Sequence, residues 1–135
     1  MYSNILVPIA LDNEDGRAAH AIKVAKSLVA DGGQITLLHV VESVPSYAIS
    51  YISNEILTAT RTGIETEMER LASDIGATSV VIDGHSGRSI LDYAEEAQSD
   101  LIVIASHRPG MQTLLLGSTA THVVRHAQCS VHVLR

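Results

Sequence analysis

The sequence predicts an α/β protein: a doubly wound parallel sheet of about five strands with helices on both faces. Three observations lead there. Short apolar runs of strand length alternate along the chain with longer stretches whose apolar residues recur at helical spacing. Such alternation implies right-handed crossovers and a parallel sheet covered on both sides. Leu101-Ile102-Val103-Ile104-Ala105 is apolar at every position, as a strand buried on both faces requires. Finally, the chain has no Trp and no Phe, so its core must be built from Val, Ile, Leu and Ala. Branched aliphatic residues of this kind suit strands packed beneath helices. A length of 135 residues fits one domain, 1–135, with an adequate core.

Taken in order, Ile5-Leu6-Val7 with Pro8-Ile9-Ala10 reads as a short buried strand, Pro8 marking its end because proline cannot donate in the middle of a ladder. Asp12 is placed to cap the next helix, with Asp15 in an acidic first turn. Ala18, Ala21, Ile22, Ala25, Leu28 and Val29 form that helix's apolar stripe, while Arg17, Lys23 and Lys26 lie off it. Asp31-Gly32-Gly33 is expected to end it, glycine supplying the left-handed cap. Gln34 to Glu42 reads as the second strand, and Ser43 to Ser53 as a loop containing Pro45, Tyr47 and Tyr51. A long helix follows, with Ile56, Thr60, Ile64, Met68, Leu71 and Ile75 on one face and Gly76 at its end.

Thr78 to Asp83 is the third strand. Ile90, Leu91, Tyr93, Ala94 and Ala97 mark a short helix, and Asp100 leads into the all-apolar fourth strand. Ser130 to Arg135 alternates in polarity, which predicts an edge strand. No linker, repeat or low-complexity segment interrupts this order.

Composition removes several functions from consideration. Hydrophobic residues make up 46% and charged residues 18%, with a net charge of −6. An acidic chain is poorly suited to nucleic acid or to anionic membrane surfaces, both of which need a basic face. No apolar run approaches the roughly 20 residues that cross a bilayer. Met1 to Ile5 enters a strand without a signal peptide, so a cytoplasmic protein is expected. Cys129 has no partner for an internal disulfide and reads as a small buried apolar residue. His122 and His126 stand four apart on the last helix, yet no third metal ligand lies nearby in sequence. The phosphate lysine and hydroxyl of a Gly-Lys-Ser/Thr loop are absent, and no Ser–His–acid set is legible. Binding without efficient turnover is therefore favoured over catalysis.

The functional signal lies near the carboxyl end. After the fourth strand, Ser106 to Gly110 is small, polar and turn-forming, and Gly117-Ser118-Thr119 precedes an apolar repeat at Ala120, Val123, Val124 and Ala127. A Ser or Thr there suits a helix cap. The layout is strand, polar segment, then helix amino terminus, whose free N–H groups and partial positive charge suit a phosphate.

In Ala105-Ser106-His107-Arg108-Pro109, Leu115-Leu116-Gly117-Ser118 and Val123-Val124-Arg125-His126-Ala127-Gln128-Cys129-Ser130-Val131 the chain resembles the universal stress protein family along essentially its whole length. The family's phosphate motif reads G-x-x-G, nine residues, then G-[S/T]. Here Ala105 and Arg108 take the two early glycine places, Gly117-Ser118 takes the last pair, and Pro109 to Leu116 is one residue short. The resemblance implies the strand order 3-2-1-4-5, so that the order reverses between the strands ending at Ala10 and Ala105. Ligands bind at such a reversal, beyond the carboxyl ends of the strands.

It further implies an adenine nucleotide, ATP with or without Mg2+, held by Pro8, Ile9, Ala10 and Asp12 after the first strand and by Val40, the adenine-contact position, after the second. Ile104, Ala105, Ser106, His107, Arg108 and Gly110, with Gly117, Ser118 and Thr119, would complete the site. Arg108 loses glycine's open backbone but brings a guanidinium able to grip phosphate with two bonds. Ala10 stands where the family usually carries Asp, so a nucleotide-free dimeric interaction module is the alternative. A phosphoacceptor receiver domain using Asp83 ranks lower, because Ala10-Leu11 and Leu134-Arg135 lack the acidic pair and lysine it needs. The resemblance also implies a homodimer through the last strand, or a higher homo-oligomer, in a regulatory stress response.

Overall fold

The computed structural model describes residues 1–11, 16–42, 46–49, 51–106 and 116–135. Five strands form one parallel sheet: β1 (Tyr2–Pro8), β2 (Val29–Val41), β3 (Thr78–Asp83), β4 (Leu101–Ala105) and β5 (Ser130–Leu134). Their order is β3-β2-β1-β4-β5, as the resemblance implied. The helices are α1 (Arg17–Leu28), α2 (Ser46–Ile49), α3 (Asn54–Ser73), α4 (Ser86–Glu96) and α5 (Ser118–His126).

Successive residues of a strand face opposite sides, and the core divides accordingly. Ile5, Val7, Leu37, Leu101 and Val103 lie on one face, beneath Ala18, Ala21, Ile22 and Ala25 of α1 and Met68 and Ala72 of α3. Leu6, Leu38, Ile102 and Ile104 lie on the other, beneath Ile90 and Ala94 of α4 and Ala120 and Val123 of α5. Central strands thus bury both faces, which is why β4 is written without a polar residue. β5 alternates at the edge, with Ser130 and His132 exposed.

The amino-terminal end of β1 is fastened to the start of β4 by Asp100. Its carboxylate accepts from the Ser3 N–H at 2.9 Å, the Ser3 hydroxyl at 3.1 Å and the Asn4 N–H at 2.9 Å. Asn4 Nδ2 donates in turn to the Ala97 carbonyl at 2.7 Å. Partial burial works to raise the Asp100 pKa, but the hydrogen bonds from Ser3 and Asn4 outweigh it and hold the carboxyl below its usual range.

Several boundaries differ from expectation. Helix α1 starts at Arg17 with Gly16 in the N-cap place at φ +77°, so Asp12 is not its cap. It also stops at Leu28, and Val29 is already extended. β2 pairs Tyr2 with Val29 and Asn4 with Gln34, so two steps along β1 are answered by five along β2. The Asp31-Gly32-Gly33 run therefore sits in an irregular start to the strand and does not close the helix. Gly33 is needed there: a Cβ would lie 2.7 Å from Val29 Cγ2 and 2.9 Å from the Ala30 carbonyl.

Within the expected loop, Ser46–Ile49 is a single helical turn. Helix α3 begins with Ser53 accepting from the Ile56 N–H at 3.2 Å. Its apolar stripe reaches the core only from Ile64 onward, and Ile56 is 59% exposed. In α5 the cap is Gly117 and no side chain caps it, while Val124 faces outward. Cys129 is half-buried rather than fully buried, and desolvation pushes its thiol pKa up.

Candidate functional site

At the carboxyl ends of β1, β2 and β4 lies a cleft of about 760 Å³. Its position follows from topology. After β1 the chain crosses to the α1 side of the sheet, and α5, which follows β4, packs on the opposite side, so the two connections part and leave space between them.

Every anticipated site residue within the described regions lines this cleft. Pro8, Ile9 and Ala10 come from the end of β1, Val40 from β2, and Ile104, Ala105 and Ser106 from β4. Gly117, Ser118 and Thr119 come from the start of α5. Asp12, His107, Arg108 and Gly110 lie outside the described residues.

The α5 side of the cleft is built around Ser106, which is 1% exposed. Its N–H donates to the Leu134 carbonyl at 2.8 Å, extending the β4–β5 ladder by one residue. Its carbonyl accepts from the Gly117 N–H, which joins the end of β4 directly to the start of α5. The helical ladder then begins with the Thr121 N–H donating to the Gly117 carbonyl at 2.9 Å. The N–H groups of Ser118, Thr119 and Ala120 precede that ladder and are not used by it. Gly117 has φ −64° and ψ 161°, values open to any residue, so its lack of a side chain matters for space and not for conformation.

On the β2 side, the Ile9 N–H donates to the Leu38 carbonyl at 2.8 Å, carrying the β1–β2 ladder beyond Pro8. His39 Nδ1 lies 2.7 Å from the Ile9 carbonyl. A carbonyl only accepts, so Nδ1 carries the hydrogen and the ring clamps the two strand ends together. Glu42, just past β2, also lines the cleft, and its Oε1 accepts from the Ser86 hydroxyl at 2.6 Å. Arg17 lines the cleft from the first residue of α1.

Arg17, Glu42 and Ser86 also line the cleft, beyond the residues anticipated from sequence. The helical stripe marks Arg17 only as off-core, and Glu42 was read only as the strand's last residue. The rule that ligands meet the carboxyl ends of strands would have found Glu42.

Two other candidates acquire structural roles. Arg61 Nη1 of α3 donates to both Asp83 carboxylate oxygens, at 2.8 and 2.9 Å, and Nη2 donates to the Val81 carbonyl at 3.3 Å, tying α3 to the edge strand β3. The His122 and His126 ring centres lie 4.7 Å apart, with the ring planes tilted by 50°. His122 packs so closely on α4 that a Cβ at Gly87 would lie 2.8 Å from its Cδ2. Among the described residues no group of three His, Cys, Asp or Glu could hold a metal, and no helix is long and apolar enough to cross a membrane.

Comparison with known proteins agrees with this architecture. The chain is 34% identical to universal stress protein A homolog 2 of Coxiella burnetii, over 99% of this chain and 95% of that protein. Its fold matches the universal stress protein UspA from Lactobacillus plantarum with a TM-score of 0.80 at 26% identity, covering 99% and 98% of the two chains. Two more distant structures share the fold, both with a TM-score of 0.61. One is a universal stress protein in complex with cAMP, at 20% identity over 99% of this chain and 97% of that one. The other is an Arabidopsis thaliana family protein with AMP bound, at 18% identity over 98% and 90%. The profile of the universal stress protein family matches residues 1–135, and the chain belongs to that family.

Proposed function

We propose that this protein binds ATP, or a related adenine nucleotide, in the cleft and acts as a cytoplasmic regulator of a stress response. The observation that carries the reading is the division of the cleft. Backbone N–H groups of Ser118, Thr119 and Ala120 stand at one side, where a helix amino terminus favours phosphate. An apolar floor of Ile9, Val40 and Ile104 lies beyond them, suited to a nucleobase and ribose. The cAMP and AMP complexes show that this fold accommodates adenine nucleotides; the reason for assigning one to this chain is the cleft itself. Phosphate would lie over α5 and the base over the end of β2, two strand spacings away, about 9–10 Å. Arg108, which lies outside the described residues, would supply the cation for the phosphates, with Mg2+ as an optional companion ion. The absence of a Gly-Lys-Ser/Thr loop favours retention over rapid hydrolysis.

The same reading includes a homodimer through the outer edge of β5, with which no described strand pairs; pairing with a second copy about a twofold axis would satisfy that edge. Calorimetry on protein stripped of ligand tests the nucleotide assignment. Binding with a Kd in the micromolar range, about −7 to −8 kcal/mol, is the expected result. No heat and no thermal shift at millimolar ATP would overturn it and leave the dimeric interaction module.

A further inference from the structure

We infer that Glu42, held in place by Ser86, is a specificity-determining residue that accepts a hydrogen bond from the exocyclic amino group of the base. The inference rests on the nucleotide reading above and adds to it the feature of the base that is read. Glu42 lies immediately after β2 and lines the cleft, two strands along the sheet from β4, which leads to α5. Its Oε1 accepts from the Ser86 hydroxyl at 2.6 Å, a short bond typical of an ionised acceptor. Ser86 is the first residue of α4, so the carboxylate is held at the partially positive end of an 11-residue helix. A carboxylate offers about four acceptor sites and donates nothing, so it can accept from more than one partner at a time.

Two consequences follow for a ligand in this cleft. A fixed carboxylate repels phosphate, which orients the ligand with its phosphates toward α5 and its base toward β2. At the base end an acceptor-only group favours a donor, and the 6-amino group of adenine is one. Against a 6-oxo group the carboxylate would be desolvated with no donor from that position. The side chain would therefore reinforce whatever the β2 backbone at Val40 contributes to base recognition, and Ser86 acts as the positioning residue that fixes its rotamer.

The test compares ATP with purine riboside 5′-triphosphate, which carries hydrogen in place of the amino group, using wild type, Glu42→Ala and Ser86→Ala in titration calorimetry. Wild type should bind ATP about tenfold more tightly than the purine analogue, a difference of about 1.4 kcal/mol. Glu42→Ala should bring the two ligands within about twofold by weakening ATP alone, and Ser86→Ala should give an intermediate preference. Equal affinity of wild type for both ligands would overturn the inference while leaving the nucleotide site intact. A tenfold preference that survives in Glu42→Ala would do the same and assign the amino group to backbone. Failure of wild type to bind either ligand would overturn the inference together with the reading on which it stands.

Discussion

Replacing Asp100 by alanine removes three hydrogen bonds at once from the start of β1, two of them from backbone N–H groups at 2.9 Å. Bonds to an ionised acceptor contribute about 1.5–3 kcal/mol each when buried, but Ser3 is exposed and Asn4 only half-buried, so solvent replaces much of the loss. A total of about 2 kcal/mol is the reasonable magnitude. For a domain of this size each 1 kcal/mol moves the midpoint by about 4 °C, so Asp100→Ala should melt about 8 °C below wild type at neutral pH.

The pH dependence follows from the depressed pKa of the folded state. The unfolded chain takes up the proton first as pH falls, so the contribution of Asp100 is complete above its unfolded pKa. It is lost as pH drops through the folded value. The gap between wild type and Asp100→Ala should therefore be constant above roughly pH 5 and close steadily below about pH 4. Thermal melts followed by circular dichroism from pH 3 to pH 8 supply the measurement. A variant within 0.5 kcal/mol of wild type at pH 7, or a gap that does not narrow in acid, would refute the argument.

Other outcomes follow from the cleft and the sheet edge. Gly117→Val should keep the fold, because the backbone angles there suit any residue, yet weaken ATP more than tenfold by crowding the phosphate position; unchanged affinity would place the ligand elsewhere. Arg108→Ala should cost triphosphate binding about 1.5–3 kcal/mol and leave adenosine unchanged, whereas equal losses would mean the arginine only shapes the backbone. Wild type should sediment as a dimer at micromolar concentration, and a proline at Val131 or Val133, by deleting one ladder N–H, should shift it toward monomer. A dimer indifferent to that proline would move the interface to another surface.

Much of this architecture was legible because it depends on burial alone. An unbroken apolar run identifies a central strand such as β4, and alternation identifies an edge such as β5, whichever elements lie above them. What periodicity cannot convey is how far an element's neighbours extend. The stripe of α3 is regular from Ile56, yet Ile56 is exposed while Met68 is fully buried. Val29 continues the α1 stripe, but its pairing with Tyr2 draws it into β2, a long-range contact that local spacing does not encode.

The cleft shows the same division. Residues next to the strand ends could be named from their place in the chain. Arg17 and Ser86 reach the cleft from helices whose approach is set by tertiary packing, and the bond from Gly117 to the Ser106 carbonyl joins positions that sequence leaves eleven apart. That bond also changes the expected phosphate contact. The Gly117 N–H is already committed, so in the proposed site the donors would be Ser118, Thr119 and Ala120.

Amide chemical shifts recorded during titration of the stripped, isotopically labelled protein test this placement most directly. ATP should move the resonances of Ser118, Thr119 and Ala120 together with that of Val40, at opposite walls of the cleft. Adenosine should move Val40 while leaving the three α5 amides nearly unchanged. Saturable ATP shifts that spare the start of α5, or that cluster on a surface away from β1, β2 and β4, would contradict the account.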